Sequence, residues 1–420
     1  MRSHVGKTVL LLSTTTGYQS RAFVAAAEKL GTTVVFGTDR CHVLDDPWRD
    51  GALALRFEDP AASAGILVEY ARAHSVDAVV AIGDQPTPTA ARVAQWLSLP
   101  GHPPDAADVC RDKYRSRDCL RSAGLKVPRF QRFVRNTDPR QLASAISFPC
   151  VLKPLALSGS RGVIRANDAE EFVAAFERIN RLVGSPEVGV LRDPASGFIQ
   201  IEEYIDGVEV AVEGLVDAGR LHVLAIFDKP DSLVGPFFEE TIYVTPSCLP
   251  ASTHKHVAGV LQQAVAALGL FHGPLHAELR LNSAGAWILE VAARPIGGLC
   301  ARSLRFQEGI SLEELILRHA LGEELSPVRE SCASGVMMIP IPQPGFLESV
   351  ERVEEAARTP GVDAIEITAK LRQQLVPLPE GASYLGFIFV RGETSQFVEQ
   401  ALRAAYAKLR FVISAALPVV

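Results

Sequence analysis

Residues 276–298 read HAELRLNSAGAWILEVAARPIGG. Two short runs, His276 to Leu281 and Ala286 to Val291, flank the turn-forming Asn282-Ser283-Ala284-Gly285, the pattern of a β-hairpin. Each run carries one acid, Glu278 and Glu290, and in facing strands side chains on one face converge. Glu290 lies inside the apolar run Trp287 to Ala293, where a carboxylate is desolvated unless it meets a cation. Two such carboxylates suit Mg²⁺, which takes oxygen ligands together with substrate phosphates; two solvated strand acids are the alternative. Arg294 follows four residues on and has the fork that clamps an anion, or it forms an ordinary ion pair. Gly297 and Gly298 allow backbone N–H groups to approach an oxyanion.

Upstream, Phe148 to Pro154 reads as a short strand with Lys153 near its end, a compact charge suited to phosphate or a snorkelling side chain. The Gly/Ser-rich segment Leu157 to Val163 can fold over phosphates through its N–H groups, although such loops are common. Ile201 to Glu209 sets several acids beside apolar positions. Its backbone can meet an adenine and its carboxylates a ribose, and a charged edge strand is the alternative.

Further out, Thr8–Leu12, Arg21–Leu30, Thr33–Gly37, Ile66–His74 and Asp77–Gly83 alternate strand and helix, which means a parallel α/β unit ending near residue 110. Its first loop, Ser13 to Gly17, has neither G-x-G-x-x-G nor the P-loop pattern, and Gly6-Lys7-Thr8 precedes the strand, so this unit alone declares no nucleotide. Beyond about residue 325 strands at Gly335–Pro342, Ala364–Ala369 and Leu385–Arg391 and helices at Glu348–Ala357 and Ser395–Leu409 read as a separate α+β tail.

A chain of 420 residues holds two to four domains. Lys and Arg number 42 against 48 Asp and Glu, a net charge of −6, which advertises neither nucleic acid nor an anionic membrane. No apolar run reaches the roughly 20 residues that span a bilayer, and Val9 to Leu12 is too short for a signal-peptide core. Seven scattered cysteines without Cys-x-x-Cys point to a reducing compartment, without disulfides or structural zinc. A cytoplasmic protein is expected.

In order, Asp112-Lys113-Tyr114, Val151-Leu152-Lys153-Pro154, the Ser158–Gly162 loop, Glu202-Glu203-Tyr204-Ile205-Asp206-Gly207-x-Glu209, Glu278 and Glu290-x-x-x-Arg294 resemble the ATP-grasp superfamily over nearly the whole chain. The Glu290 to Arg294 segment, Gly297-Gly298 and the tail are most similar to the L-amino acid ligase branch, which makes dipeptides. Ala292 stands where many members carry a metal-binding Asn, a departure that disfavours a biotin-carboxylase-like assignment and that the ligase branch tolerates.

The resemblance implies an α/β protein of ATP-grasp fold. An N-terminal parallel α/β domain would occupy residues 1–110, central α+β ATP-grasp subdomains 111–325 with a lid at 150–205, and a C-terminal α+β domain 326–420. Lys113 and Lys153 would hold ATP phosphates, and Ser158, Gly159, Ser160 and Gly162 would form the lid over them. Glu202, Glu203 and Ile205 would line the adenine and ribose pocket, and Glu209 would take the ribose. Glu278 and Glu290 would hold two Mg²⁺ ions, with Mn²⁺ as a substitute. Arg294 would face an acyl phosphate and the attacking amine, helped by the Gly298 backbone.

The implied reaction joins a carboxylate and an amine, expected to be two amino acids, with ATP going to ADP and phosphate. Alternatives are a bicarbonate-using carboxylase and a non-catalytic ATP-binding module. His276, two residues before Glu278 on the same strand face, can assist deprotonation of the amine or simply pack. The cysteines, His254, His256, Trp48, Trp96 and Trp287 are read as structural. Asp228 to Thr241 is a candidate substrate-side loop or a plain surface loop. A homodimer is the expected assembly, without nucleic-acid or membrane partners.

Overall fold

The computed structural model describes residues 4–14, 19–39, 52–324 and 327–415. Cys41, Trp48 and most of the Ser13–Gly17 loop lie outside them.

Strand β1 (Thr8–Ser13), helix α1 (Ser20–Leu30), β2 (Thr33–Thr38), β3 (Leu53–Ala54), α2 (Pro60–Ala73), β4 (Ala78–Ile82) and α3 (Thr87–Trp96) form a parallel sheet of order β3-β2-β1-β4 with its helices. β1 is apolar throughout because both of its faces are covered. Leu10 and Leu12 pack with Leu67 and Val93 on one side, Val9 and Leu11 with Phe23 and Leu317 on the other. Helices α4 (Pro104–Arg111) and α5 (Lys113–Ser122) lead out of this unit; Asp112 caps α5 by accepting from Tyr114 and Arg115 N–H.

The next sheet has the order β5-β8-β6-β7. It comprises β5 (Phe130–Val134), β6 (Cys150–Pro154), β7 (Ile164–Ala166) and β8 (Phe198–Glu203), with the short α6 (Pro139–Ala143), α7 (Ala169–Val183) and α8 (Pro186–Gly189). Phe172, Phe176, Ile179 and Val183 recur at helical spacing on α7 and bury against Leu152, Ile199 and Ile201.

The main sheet begins with β9 (Val208–Asp217), β10 (Arg220–Asp228) and β11 (Ile242–Thr245). After α9 (Ala251–Leu268), closed by Gly269 at φ +71°, come β12 (Gly273–Asn282) and β13 (Gly285–Ala292). The hairpin expected at 276–291 is this pair, with Glu278 opposite Glu290. The small pair β14 (Arg305–Phe306) and β15 (Ile310–Ser311) precedes α10 (Leu312–Ala320).

The tail follows as β16 (Ala333–Ile339), β17 (Gly345–Glu351), α11 (Val353–Ala357), β18 (Val362–Ile367), β19 (Gln374–Leu375), β20 (Gly386–Gly392), α12 (Ser395–Tyr406) and β21 (Arg410–Ser414). Two expectations change here. The tail shares a sheet with the central segment: the order β13-β12-β9-β10-β11-β16-β20-β18 runs across both, joined where β11 pairs β16. The helix expected over Glu348–Ala357 is strand as far as Glu351, because Phe346, Leu347 and Val350 pair with β21; helix starts only after Arg352, at φ +62°. No described helix is long and apolar enough to cross a membrane, and the described cysteines are all unpaired.

Candidate active site

Parallel strands present their carboxyl ends as ligand-facing edges, and β4 uses that edge. Ile82, Gly83 and Asp84 open onto a cleft of about 610 Å³ whose opposite walls are the lid sheet and the β12–β13 hairpin. Lys113, Lys153, Ser158, Gly159, Ser160, Glu202, Glu203, Ile205, Glu209, His276, Glu278, Glu290, Arg294 and Gly298 all line it. Thus nearly every residue singled out from the sequence reaches one cavity; Gly162 is in the loop but not on the wall.

The lid loop takes its shape from three left-handed residues, Gly159 (φ +62°), Ser160 (φ +56°) and Gly162 (φ +74°). A Cβ at Gly162 would stand 2.9 Å from Pro154 Cγ, so glycine is required there on two counts. Lys113 Nζ donates to Leu157 O at 2.9 Å, Gly162 N–H to Pro379 O at 2.8 Å, and Arg161 Nε to Glu380 O at 2.6 Å. The loop therefore rests against the C-terminal segment.

Lys153 is set by a buried charge network. Glu202, 2% exposed, accepts from Lys153 Nζ at 2.6 Å, Arg117 Nε at 2.9 Å and Gln200 Nε2 at 2.7 Å. Glu202, expected from the sequence to line a nucleotide pocket, lines the cleft and also holds Lys153. Burial opposes its charge, but Arg117 and Lys153 outweigh that and hold the carboxyl down to about 2. A depressed carboxyl stabilises the fold above its ordinary value of 4.5 and loses that stabilisation as pH falls through 2. Glu202→Gln is therefore expected to cost about 3 kcal/mol at pH 7 and progressively less below pH 4.5. Urea unfolding across pH 7 to 3 checks this; identical pH slopes in the two proteins would remove Glu202 from the network.

The carboxylates sit differently from expectation. Glu209, Glu240 and Glu278 each bring an oxygen within 4.8 Å of the others. Lys229, 3% exposed, lies among them at 2.9, 2.5 and 3.1 Å. Glu209 is also held by Arg280 Nε at 2.9 Å, so its carboxylate belongs to this cluster. Arg280 further donates to the Ile205 carbonyl at 2.6 Å. Glu203 is paired at the rim with Arg129 at 2.9 Å. Lys229 keeps Glu278 well below the usual carboxyl range, whereas burial and then Glu278 push Glu240 up to about 7. An oxygen-only donor set already gathered around one cation fits a hard divalent ion.

Beside it, His276 Nδ1 lies 3.1 Å from Glu213 Oε2, and both Glu213 oxygens accept from Ile296 N–H at 3.1 Å. Burial opposes the imidazolium, but hydrogen bonds to Glu213 and Glu278 push His276 up to about 9. His276, considered from the sequence as an aid to deprotonation of the amine, lines the cleft within this buried network. Arg294, buried at the end of the hairpin, forms a two-pronged bond to Asp84 at 2.9 and 3.2 Å. Gly298 holds φ +60° against the Phe387 ring, 3.1 Å from where a Cβ would be.

Sequence reasoning missed Asp84, Arg117, Glu213, Lys229 and Glu240. Asp84 had a signal, its place just after a parallel strand. Lys229 and Glu240 fall in the Asp228–Thr241 loop, which does reach the cleft with Leu233 and Phe238, while Arg165 N–H pairs with Pro236 O at 2.8 Å on the lid side. Arg117 had none, since a helix arginine ordinarily faces water.

Three family models match the chain. The ATP-grasp domain family matches residues 146–303, the ATP-grasp N-terminal domain 24–101, and the L-amino acid ligase C-terminal domain 2 residues 337–414. Alanine–anticapsin ligase of Bacillus subtilis is 28% identical over 60% of this chain and 55% of its own length. Carnosine synthase 1 of Gallus gallus is 30% identical over 56% of this chain and 26% of its own. The chain thus spans about half or less of those two relatives. L-amino acid ligase from Bacillus licheniformis superposes with a TM-score of 0.77 at 26% identity, covering 98% of this chain and 99% of that one. The chain belongs to the ATP-grasp superfamily and is similar to its L-amino acid ligase branch.

Proposed function

We propose that the protein is an ATP-dependent carboxylate–amine ligase that joins two amino acids through an acyl phosphate. The observation carrying this reading is the convergence of Lys113, Lys153, Arg294 and an oxygen-only acidic cluster in one cleft. Those are the parts phosphoryl transfer needs, positioning and charge neutralisation, with no nucleophilic side chain.

In the first step a substrate carboxylate oxygen attacks the γ-phosphorus of ATP and ADP departs. Lys113 and Lys153 carry phosphate charge, the latter aimed by Glu202. In the second, the amine attacks the acyl carbon, loses a proton, and phosphate leaves with the oxygen that came from the carboxylate. Arg294, aimed by Asp84, faces the developing charge on the acyl phosphate, with the Gly298 backbone beside it. Glu278 and Glu290, with Glu240 and Glu209 behind them, would hold Mg²⁺, in the reading of two ions for which Mn²⁺ substitutes. When bound it neutralises phosphate oxygens. The Ser158–Gly162 loop excludes water from the acyl phosphate.

The alanine–anticapsin and L-amino acid ligase relatives support amino acids as substrates. Ala292, paired with His276 across the hairpin, offers no oxygen ligand and speaks against the bicarbonate reading. A homodimer in the cytoplasm completes the proposal. The test is phosphate release from Mg-ATP with amino acids singly and in pairs, with product masses. Release that needs a pair and yields their dipeptide is the expected result, whereas bicarbonate-dependent release, or ATP binding without turnover, would replace the ligase reading.

A further inference from the structure

A second group of metal-ligating side chains lies away from the cleft. Asp217 ends β9, His272 immediately precedes β12, and His319 is in the last turn of α10. None of the three lines the ATP cleft. His272 and His319 instead line a separate small cavity between β4, α3 and α10.

His272 Nδ1 is 3.2 Å and His319 Nε2 3.6 Å from the same oxygen, Asp217 Oδ1. Four-coordinate zinc, with bonds of about 2.0–2.2 Å, holds its ligand atoms roughly 3.3–3.5 Å apart. His272 Nε2 lies 3.2 Å from the His319 carbonyl oxygen. A proton on Nε2 donates there, which leaves Nδ1 with a lone pair turned toward a carboxylate. That pattern, one imidazole nitrogen on a backbone carbonyl and the other free, is how metal-bound histidines are oriented.

A single proton on His272 Nδ1 would satisfy that pair alone. It would not serve His319, whose Nε2 is buried without a hydrogen-bond partner. The His319 side chain is 5% exposed. The two rings stack with centroids 3.7 Å and planes 12° apart, so an ion bound by both nitrogens requires the rings to turn out of the stack by several tens of degrees. His102 is not a further ligand: Nδ1 accepts from Phe271 N–H at 3.2 Å, and Nε2 faces Pro274 O at 3.2 Å. Water would complete the set on the exposed side of Asp217.

We propose that Asp217, His272 and His319 form a divalent-metal site of the zinc class, distinct from the ATP cleft. Two nitrogens and one carboxylate suit zinc over Mg²⁺. Because α10 packs against α1 and β4 as well as β12, an ion here ties the main sheet to the N-terminal unit.

The test is calorimetric titration of Zn²⁺ into the full chain with excess Mg²⁺, so that the cleft carboxylates are occupied, together with melting curves. One equivalent of Zn²⁺ is expected to bind and to raise Tm. Since losing a hydrogen-bond partner of a metal-bound side chain already costs about 10–100-fold in metal affinity, Asp217→Asn and His319→Ala should each weaken binding at least about 100-fold and abolish the rise in Tm. Asp217 is 56% exposed, so its isosteric variant keeps the fold even if His319→Ala does not. No Zn²⁺ binding, or binding and Tm rise unchanged in Asp217→Asn, would overturn the proposal.

Discussion

Arg294→Ala is expected to lower kcat about a thousandfold while leaving ATP affinity within a few-fold, the scale set by single charge-stabilising groups in acyl and phosphoryl transfer. The guanidinium is only 13% exposed, and Asp84 holds two of its nitrogens, so its direction is set before any substrate arrives. Burial opposes the charge on Arg294, but the Asp84 carboxylate outweighs it and makes the guanidinium harder still to deprotonate, so the side chain remains a permanent cation. Arg294→Lys keeps the charge but loses the fork, so it should recover only part of the activity. Steady-state rates and a nucleotide titration separate the outcomes. A variant that binds ATP weakly but turns over normally once saturated would move Arg294 to the nucleotide.

Glu290→Ala is expected to abolish turnover, a loss of about a thousandfold or more, with the fold retained. Glu290 faces Glu278 across the hairpin and lines the cleft. Glu278 differs because Lys229 and His276 lean on it, at 3.1 and 3.7 Å. Removing Glu278 should therefore cost stability as well as activity, since buried cations lose a partner. Melting curves beside activity assays distinguish the two residues. Full activity in Glu290→Ala would remove it from the metal assignment.

The hairpin and its acids were readable because local pattern and buried charge coincide there: two alternating runs, a turn, and a carboxylate within apolar neighbours. Helix α7 shows a similar coincidence of local signals, an apolar stripe over Ala169–Val183 and a cap at Asp168. What escaped were properties of tertiary assembly. Whether the tail is a separate unit depends on β11 meeting β16, about ninety residues on, and nothing local announces a pairing at that range. Glu202 and Glu209 were placed in the right cavity, yet their partners Arg117, Lys229 and Arg280 come from other elements, and those partners decide what each carboxylate does. Asp84 joins the site only because two sheets are packed edge to mouth.

The central claim is that a carboxylate is phosphorylated and then captured by an amine. It is tested most directly by running the pair-dependent reaction with the first substrate's carboxylate labelled with ¹⁸O and weighing the phosphate released. The acyl-phosphate route predicts transfer of one labelled oxygen to each phosphate, together with dipeptide formation. Unlabelled phosphate accompanying the same product would contradict it.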